Sequence, residues 1–89
     1  MTKLGALFKY YREKNKLTQA QVAKELKIDR SSYTYYEIGK TMPSIKTIIK
    51  LARIFDVPYT VFLECVAKEM LSENESLRKY SKNSMLNKK

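Results

Sequence analysis

The chain has 89 residues, with 18 Lys and Arg against 9 Asp and Glu and a net charge of +9. That length is room for one domain with a modest core, and that charge favours a polyanionic partner, nucleic acid or an anionic membrane surface. The lack of His excludes a histidine general base or His-held metal, and the single Cys excludes an internal disulfide and fits a reducing cytoplasm. No apolar run approaches the roughly 18 residues of a spanning helix, and no membrane partner is expected. Leu4–Phe8 reads as too short, and too soon broken by Lys9, for a signal-peptide core.

With two Gly and two Pro there is little material for hairpins, and the apolar period is helical. Leu4, Leu7, Phe8 and Tyr11 fall at i, i+3, i+4 and i+7, which predicts a first helix from about Lys3 to Glu13. Asn15 is the residue suited to its left-handed end. Thr18 with Gln21 three residues on forms a capping box for a second helix, and Leu17 and Val22 a hydrophobic staple. Val22, Ala23 and Leu26 then face inward, and the helix stops near Lys27.

Asp29 is the expected N-cap of a third helix, with Gly39 as its C-terminal stop. Tyr33 and Tyr36 share a face and read as core rather than stacking platforms. After the turn Lys40–Pro43, Ser44 caps a fourth helix with Ile45, Ile48, Ala52 and Phe55 inward. Asp56 and Pro58 mark a break, and a fifth helix starts near Tyr59. Residues 59–80 read as one or two helices with an apolar face of Phe62, Leu63, Val66, Ala67, Met70 and Leu71, extended weakly by Leu77 and Tyr80. Asn74 lies on that stripe, Glu64, Lys68 and Glu69 lie opposite, and Cys65 reads as an incidental exposed thiol. Residues 81–89 are a polar, basic tail. The prediction is all-α: a five-helix domain over 1–63, a helical extension over 64–80 and the tail.

Two short helices capped at Thr18 and Asp29 and joined near Lys27-Ile28 have helix-turn-helix spacing. In that arrangement the first helix crosses a phosphate backbone with its N-terminus toward an anion. The second fits a major groove about 12 Å wide.

Residues 4–63 resemble the lambda-repressor/Cro-type helix-turn-helix, the xenobiotic-response-element family. The resemblance is carried by Tyr11–Gln19 (YREKNKLTQ), Val22–Leu26 (VAKEL), Tyr33–Lys40 (YTYYEIGK) and Pro43–Ala52 (PSIKTIIKLA). Two family habits are missing: a Gly in the turn, where Lys27 stands, and a branched aliphatic in the third helix, where Tyr33 stands. The resemblance implies a sequence-specific double-stranded DNA-binding regulator and not an enzyme. It implies that Thr18 and Gln19 hold a phosphate, with Lys40 and Thr41 on the backbone. It also implies that Arg30, Ser31, Thr34 and Tyr35 read bases, and that Arg12 and Glu37 pair to tie the first helix to the third. The Arg30 fork suits guanine O6 and N7.

The stripe Phe62, Leu63, Val66, Ala67, Met70, Leu71 has two readings, packing within the chain or a homodimer contact across a twofold axis. The leading function is a repressor binding an operator as a homodimer. The alternatives are the antitoxin of a toxin–antitoxin pair, and an interaction module that does not use DNA. No cofactor, metal or small-molecule ligand is expected.

Overall fold

Capping chemistry sets where the helices begin. The computed structural model describes residues 3–73, in five helices: α1 (Lys3–Lys14), α2 (Gln19–Leu26), α3 (Arg30–Ile38), α4 (Ile45–Phe55) and α5 (Tyr59–Glu73). The Thr18 hydroxyl accepts from the Gln21 amide at 3.1 Å, and Gln21 Oε1 accepts from the Thr18 N–H at 2.8 Å. The capping box is thus closed from both sides. Ser44 accepts from the Thr47 N–H at 3.2 Å. Asp29 does occupy the N-cap position of α3, but its side chain makes no capping hydrogen bond.

The helix ends turn left-handed at Lys16 (φ 57°), Lys27 (φ 60°), Gly39 (φ 81°) and Asp56 (φ 56°). At the end of α1 this residue is Lys16 and not Asn15. The Asn15 amide instead donates to the carbonyls of Tyr11 (2.7 Å) and Phe55 (3.0 Å), tying the end of α1 to the end of α4.

The core collects Leu4 and Phe8 from α1, Val22, Ala23 and Leu26 from α2, and Tyr33 from α3. It is completed by Ile48, Leu51, Ala52 and Phe55 of α4 and Phe62 of α5. In α4 the buried residues 48, 51, 52 and 55 are at i, i+3, i+4 and i+7. Ile45 falls at the edge of that arc and is 65% exposed, which corrects its assignment to the inward face.

Phe62 corrects the sequence reading in the opposite direction. It is fully buried, edge-on to Phe8 (5.0 Å between centroids), Tyr11 (5.9 Å) and Phe55 (6.4 Å), so it closes the chain's own core and cannot meet a second copy. Cys65 is half-buried against the core, not exposed. The start of α1 is tied to α5 by the Lys3 N–H donating to Glu69 Oε1 at 2.9 Å. The division expected at residue 63 falls inside α5, which runs unbroken through it. Asn74, Leu77, Tyr80 and the tail 81–89 lie outside the described residues. Among the described residues no helix is long and apolar enough to cross a membrane.

One close approach positions the third helix. Gly5 of α1 is buried against the end of α3, and a Cβ there would run into the carbonyl oxygens of Glu37 and Tyr36. Two backbones meet at this seam because one residue has no side chain.

Candidate nucleic-acid interface

The two faces of α3 are divided by burial. Tyr33 and Glu37, one turn apart, are buried, while Arg30, Ser31 and Tyr35 are exposed and Thr34 is half-buried. Arg30 and Ser31 form the first turn of α3, directly after the left-handed turn at Lys27. At the other end, the Tyr35 carbonyl accepts from the N–H groups of Gly39, Lys40 and Thr41. This winds the chain back on itself and puts the Lys40 ammonium 4.5 Å from the Tyr35 ring centroid, a cation–π contact. Tyr35, Lys40 and exposed Thr41 therefore form one surface at the end of α3.

Under this surface sits an ion pair. Arg12 Nε meets Glu37 Oε2 at 2.6 Å, and Nη2 meets Oε1 at 3.2 Å, a two-pronged contact across α1 and α3. Arg12 Nη1 also donates to the Leu17 carbonyl at 2.9 Å, so one guanidinium holds α1, α3 and the entry to α2. The pair implied by the resemblance is therefore present, with side chains 11% and 2% exposed.

Burial by itself would raise the Glu37 carboxyl. The donors around it, Arg12 first and then the nearby Tyr33 hydroxyl and Gln19 amide, outweigh that and hold it below the ordinary carboxylate range. The Glu37 hydrogen bond in turn raises the Arg12 guanidinium against the lowering effect of burial. The Tyr33 phenol is pushed up by burial first and by the Glu37 carboxylate second. Its hydroxyl is buried with no hydrogen-bond partner at bonding geometry among the described residues.

Gln19 is where the structure adds most. Its amide does not simply project outward from the start of α2. Nε2 donates to Glu37 Oε1 at 3.0 Å, and Oε1 accepts from the Thr34 hydroxyl at 2.8 Å. Thr18 is exposed beside it with its oxygen engaged in the cap. The residues named from sequence thus fall into two groups. Arg30, Ser31, Tyr35, Lys40, Thr41 and Thr18 are exposed along α3 and the start of α2, whereas Gln19, Thr34, Arg12 and Glu37 are joined to one another. Along α5, Leu63 and Val66 are half-buried against the core, and Ala67, Met70 (59%) and Leu71 (46%) are exposed. Among the described residues no cluster of side chains suits a metal ion.

A fold of five helices with a capped α2–turn–α3 unit and a polar, exposed α3 face flanked by Arg30 and Lys40 defines a helix-turn-helix DNA-binding protein. The Helix-turn-helix family model matches residues 8–62, and the chain belongs to that family. It is 37% identical over 65 residues to the uncharacterized HTH-type transcriptional regulator YqaE of Bacillus subtilis (strain 168), covering 73% of this chain and 56% of that protein. It is 43% identical over 49 residues to an uncharacterized HTH-type transcriptional regulator of Methanocaldococcus jannaschii, covering 55% of this chain and 74% of that one. It is also similar to the ImmF control region 10 kDa protein of Bacillus phage phi105, 36% identical over 59 residues, 66% of each chain. No solved structure matches it significantly. The chain thus carries a helix-turn-helix domain of the kind found in HTH-type transcriptional regulators, and it spans little more than half the length of the Bacillus subtilis relative.

Proposed function

We propose that the chain is a transcriptional repressor that binds an operator as a homodimer in the cytoplasm, with α3 in the major groove. The division of α3 carries this reading. Its buried face is locked to α1 by Arg12 and Glu37, and its opposite face presents Arg30, Ser31 and Tyr35. Arg30 in the first turn is where a recognition helix meets base edges, and Lys40 and Thr41 lie where its end meets the backbone. The likeness to a phage control-region protein favours a regulatory role. The dimer reading rests on the far end of α5, where Met70 and Leu71 are exposed on a helix whose root is buried. Each such side chain contributes about 1.5–3 kcal/mol when buried.

Selection from a random duplex library, with sedimentation of the free protein, tests both parts. The expected result is two half-sites in inverted repeat bound by a dimer. Arg30→Ala should relax choice at one base pair by about 1–3 kcal/mol. Single isolated sites bound by a monomer would remove the dimer. Unchanged site choice in Arg30→Ala would remove α3 from the groove. No preference for any duplex would leave a protein partner as the function of this surface.

A further inference from the structure

Four polar side chains from three helices form a relay whose direction is set by the Arg12–Glu37 pair. Arg12 can only donate and ionised Glu37 can only accept. The carboxylate therefore draws the NH2 of the Gln19 amide, at 3.0 Å, and the amide oxygen must face the other way. There it meets the Thr34 hydroxyl at 2.8 Å. An amide oxygen only accepts, so Thr34 donates. Its single proton has one other acceptor in reach, the Arg30 carbonyl one turn back at 3.0 Å, and the contact to Gln19 is the shorter.

We infer that Thr34 is a positioning residue for Gln19 and not a reader of bases; the inference rests on the DNA-binding reading of the same surface. With one Nε2 proton held by Glu37 and its oxygen held by Thr34, the Gln19 amide cannot flip. Its second Nε2 proton is left with a fixed direction at the N-terminus of α2, as a donor to a phosphate oxygen requires. Thr34, its own proton engaged, offers the groove a methyl group and acceptor lone pairs, which separate base pairs poorly. Base choice then falls to Arg30, Ser31 and Tyr35. Thr34 sets affinity for the backbone of any duplex.

The test uses the full chain and three fluorescent duplexes: the one recovered by wild-type selection, its single-base-pair variants and an unrelated sequence. Thr34→Val keeps shape and removes the hydroxyl. It should weaken all three by one common factor, about two- to tenfold for a lost neutral hydrogen bond. Thr34→Ser should restore affinity, because it restores the donor. In a Gln19→Ala background Thr34→Val should have no further effect, since the group it positions is gone. Circular dichroism melts confirm that each variant is folded. A Thr34→Val effect confined to one base pair, or one that persists undiminished in the Gln19→Ala background, would overturn the inference while leaving DNA binding intact. Failure of the wild type to bind any duplex would overturn the parent reading and this one with it.

Discussion

Glu37 and Phe62 are equally buried, at 2% and 0% exposure, and are held in unlike ways. Glu37 sits where α3 meets α1 and α2, and its carboxylate is met by two prongs of Arg12 and the amide of Gln19. Phe62 sits where α5 meets α1 and α4, ringed by Phe8, Tyr11 and Phe55. A ring among rings fixes volume and tolerates small rotations. A carboxylate in a fork fixes both distance and angle, because its hydrogen bonds weaken steeply off axis. At these two centres α3 is fixed by directional chemistry in addition to the burial of Tyr33, whereas α5 is docked chiefly by burial. That difference suits the proposed function, in which α3 presents side chains to DNA at a set angle while α5 needs only to be docked.

Removing one member from each centre should show the contrast most strongly. Phe62→Ala should cost about 3–5 kcal/mol through lost burial and a cavity. Arg12→Ala should cost a similar ~3–5 kcal/mol at neutral pH, because it leaves a buried carboxylate without its cation. The two should part on acidification. The folded Glu37 carboxyl is held below its ordinary value, so the stability it contributes is present above about pH 4.3, the unfolded value. That stability is lost as pH falls through the lower, folded value. The penalty of Arg12→Ala should therefore shrink in acid, while that of Phe62→Ala stays level. Urea melts from pH 7 to pH 3 measure both, and parallel pH curves for the two variants would erase the distinction drawn between the centres.

A smaller effect is expected from the seam itself. Gly5→Ala adds one methyl where α1 touches the Glu37 and Tyr36 carbonyls. Ala is the better helix former, so propensity alone would make this change stabilising. The clash with backbone, which cannot rotate away, should win and cost about 1–3 kcal/mol. It should also lever α3 away from α1 and lengthen the Arg12–Glu37 contact. Weakened binding to the selected duplex beyond the loss seen for Phe62→Ala, at matched stability, would sharpen the comparison. A neutral or stabilising Gly5→Ala would show that the helices can part without cost.

What was legible in the sequence follows from range. The Thr18 and Ser44 caps, the stop at Gly39 and the period of α1 are settled within about one turn of chain, and the structure holds them where the spacing puts them. Two local readings failed, the left-handed end at Asn15 and the side-chain cap at Asp29, and the other errors concern which neighbour a helix meets. Ile45 and Phe62 are both apolar and in period, yet one is exposed and the other central, because the buried arc of a helix is fixed by the helices packed on it. Gly5 carried a usable signal, a Gly inside an amphipathic helix, which marks a close backbone approach. The Gln19–Thr34 contact carried none, since the register of α2 against α3 decides it. The Arg12–Glu37 pair was reachable only through the family resemblance, because 25 residues separate its members.

The smallest predicted effect concerns the turn that joins α2 to α3. Lys27 stands left-handed at φ 60°, with its N–H bonded to the Ala23 and Lys24 carbonyls, a conformation that Gly adopts without strain. An L-residue in this conformation is strained by about 1–2 kcal/mol. Gly removes that strain but brings a more flexible unfolded chain, which offsets about 0.4–1 kcal/mol. Lys27→Gly should therefore stabilise the fold by roughly 0.5–1 kcal/mol, raising Tm by a few degrees in a domain of this size. The increment should not depend on pH, because the backbone and not a charge supplies it. The side chain does line a shallow groove with Glu25, Lys50 and Arg53, where it adds to a crowd of cations. Losing it should lower that repulsion if it acts at all. A destabilised Lys27→Gly would mean that the Lys27 ammonium, through Glu25, holds the end of α2. The turn would then belong with Glu37 among the parts of this molecule fixed by directed polar contacts.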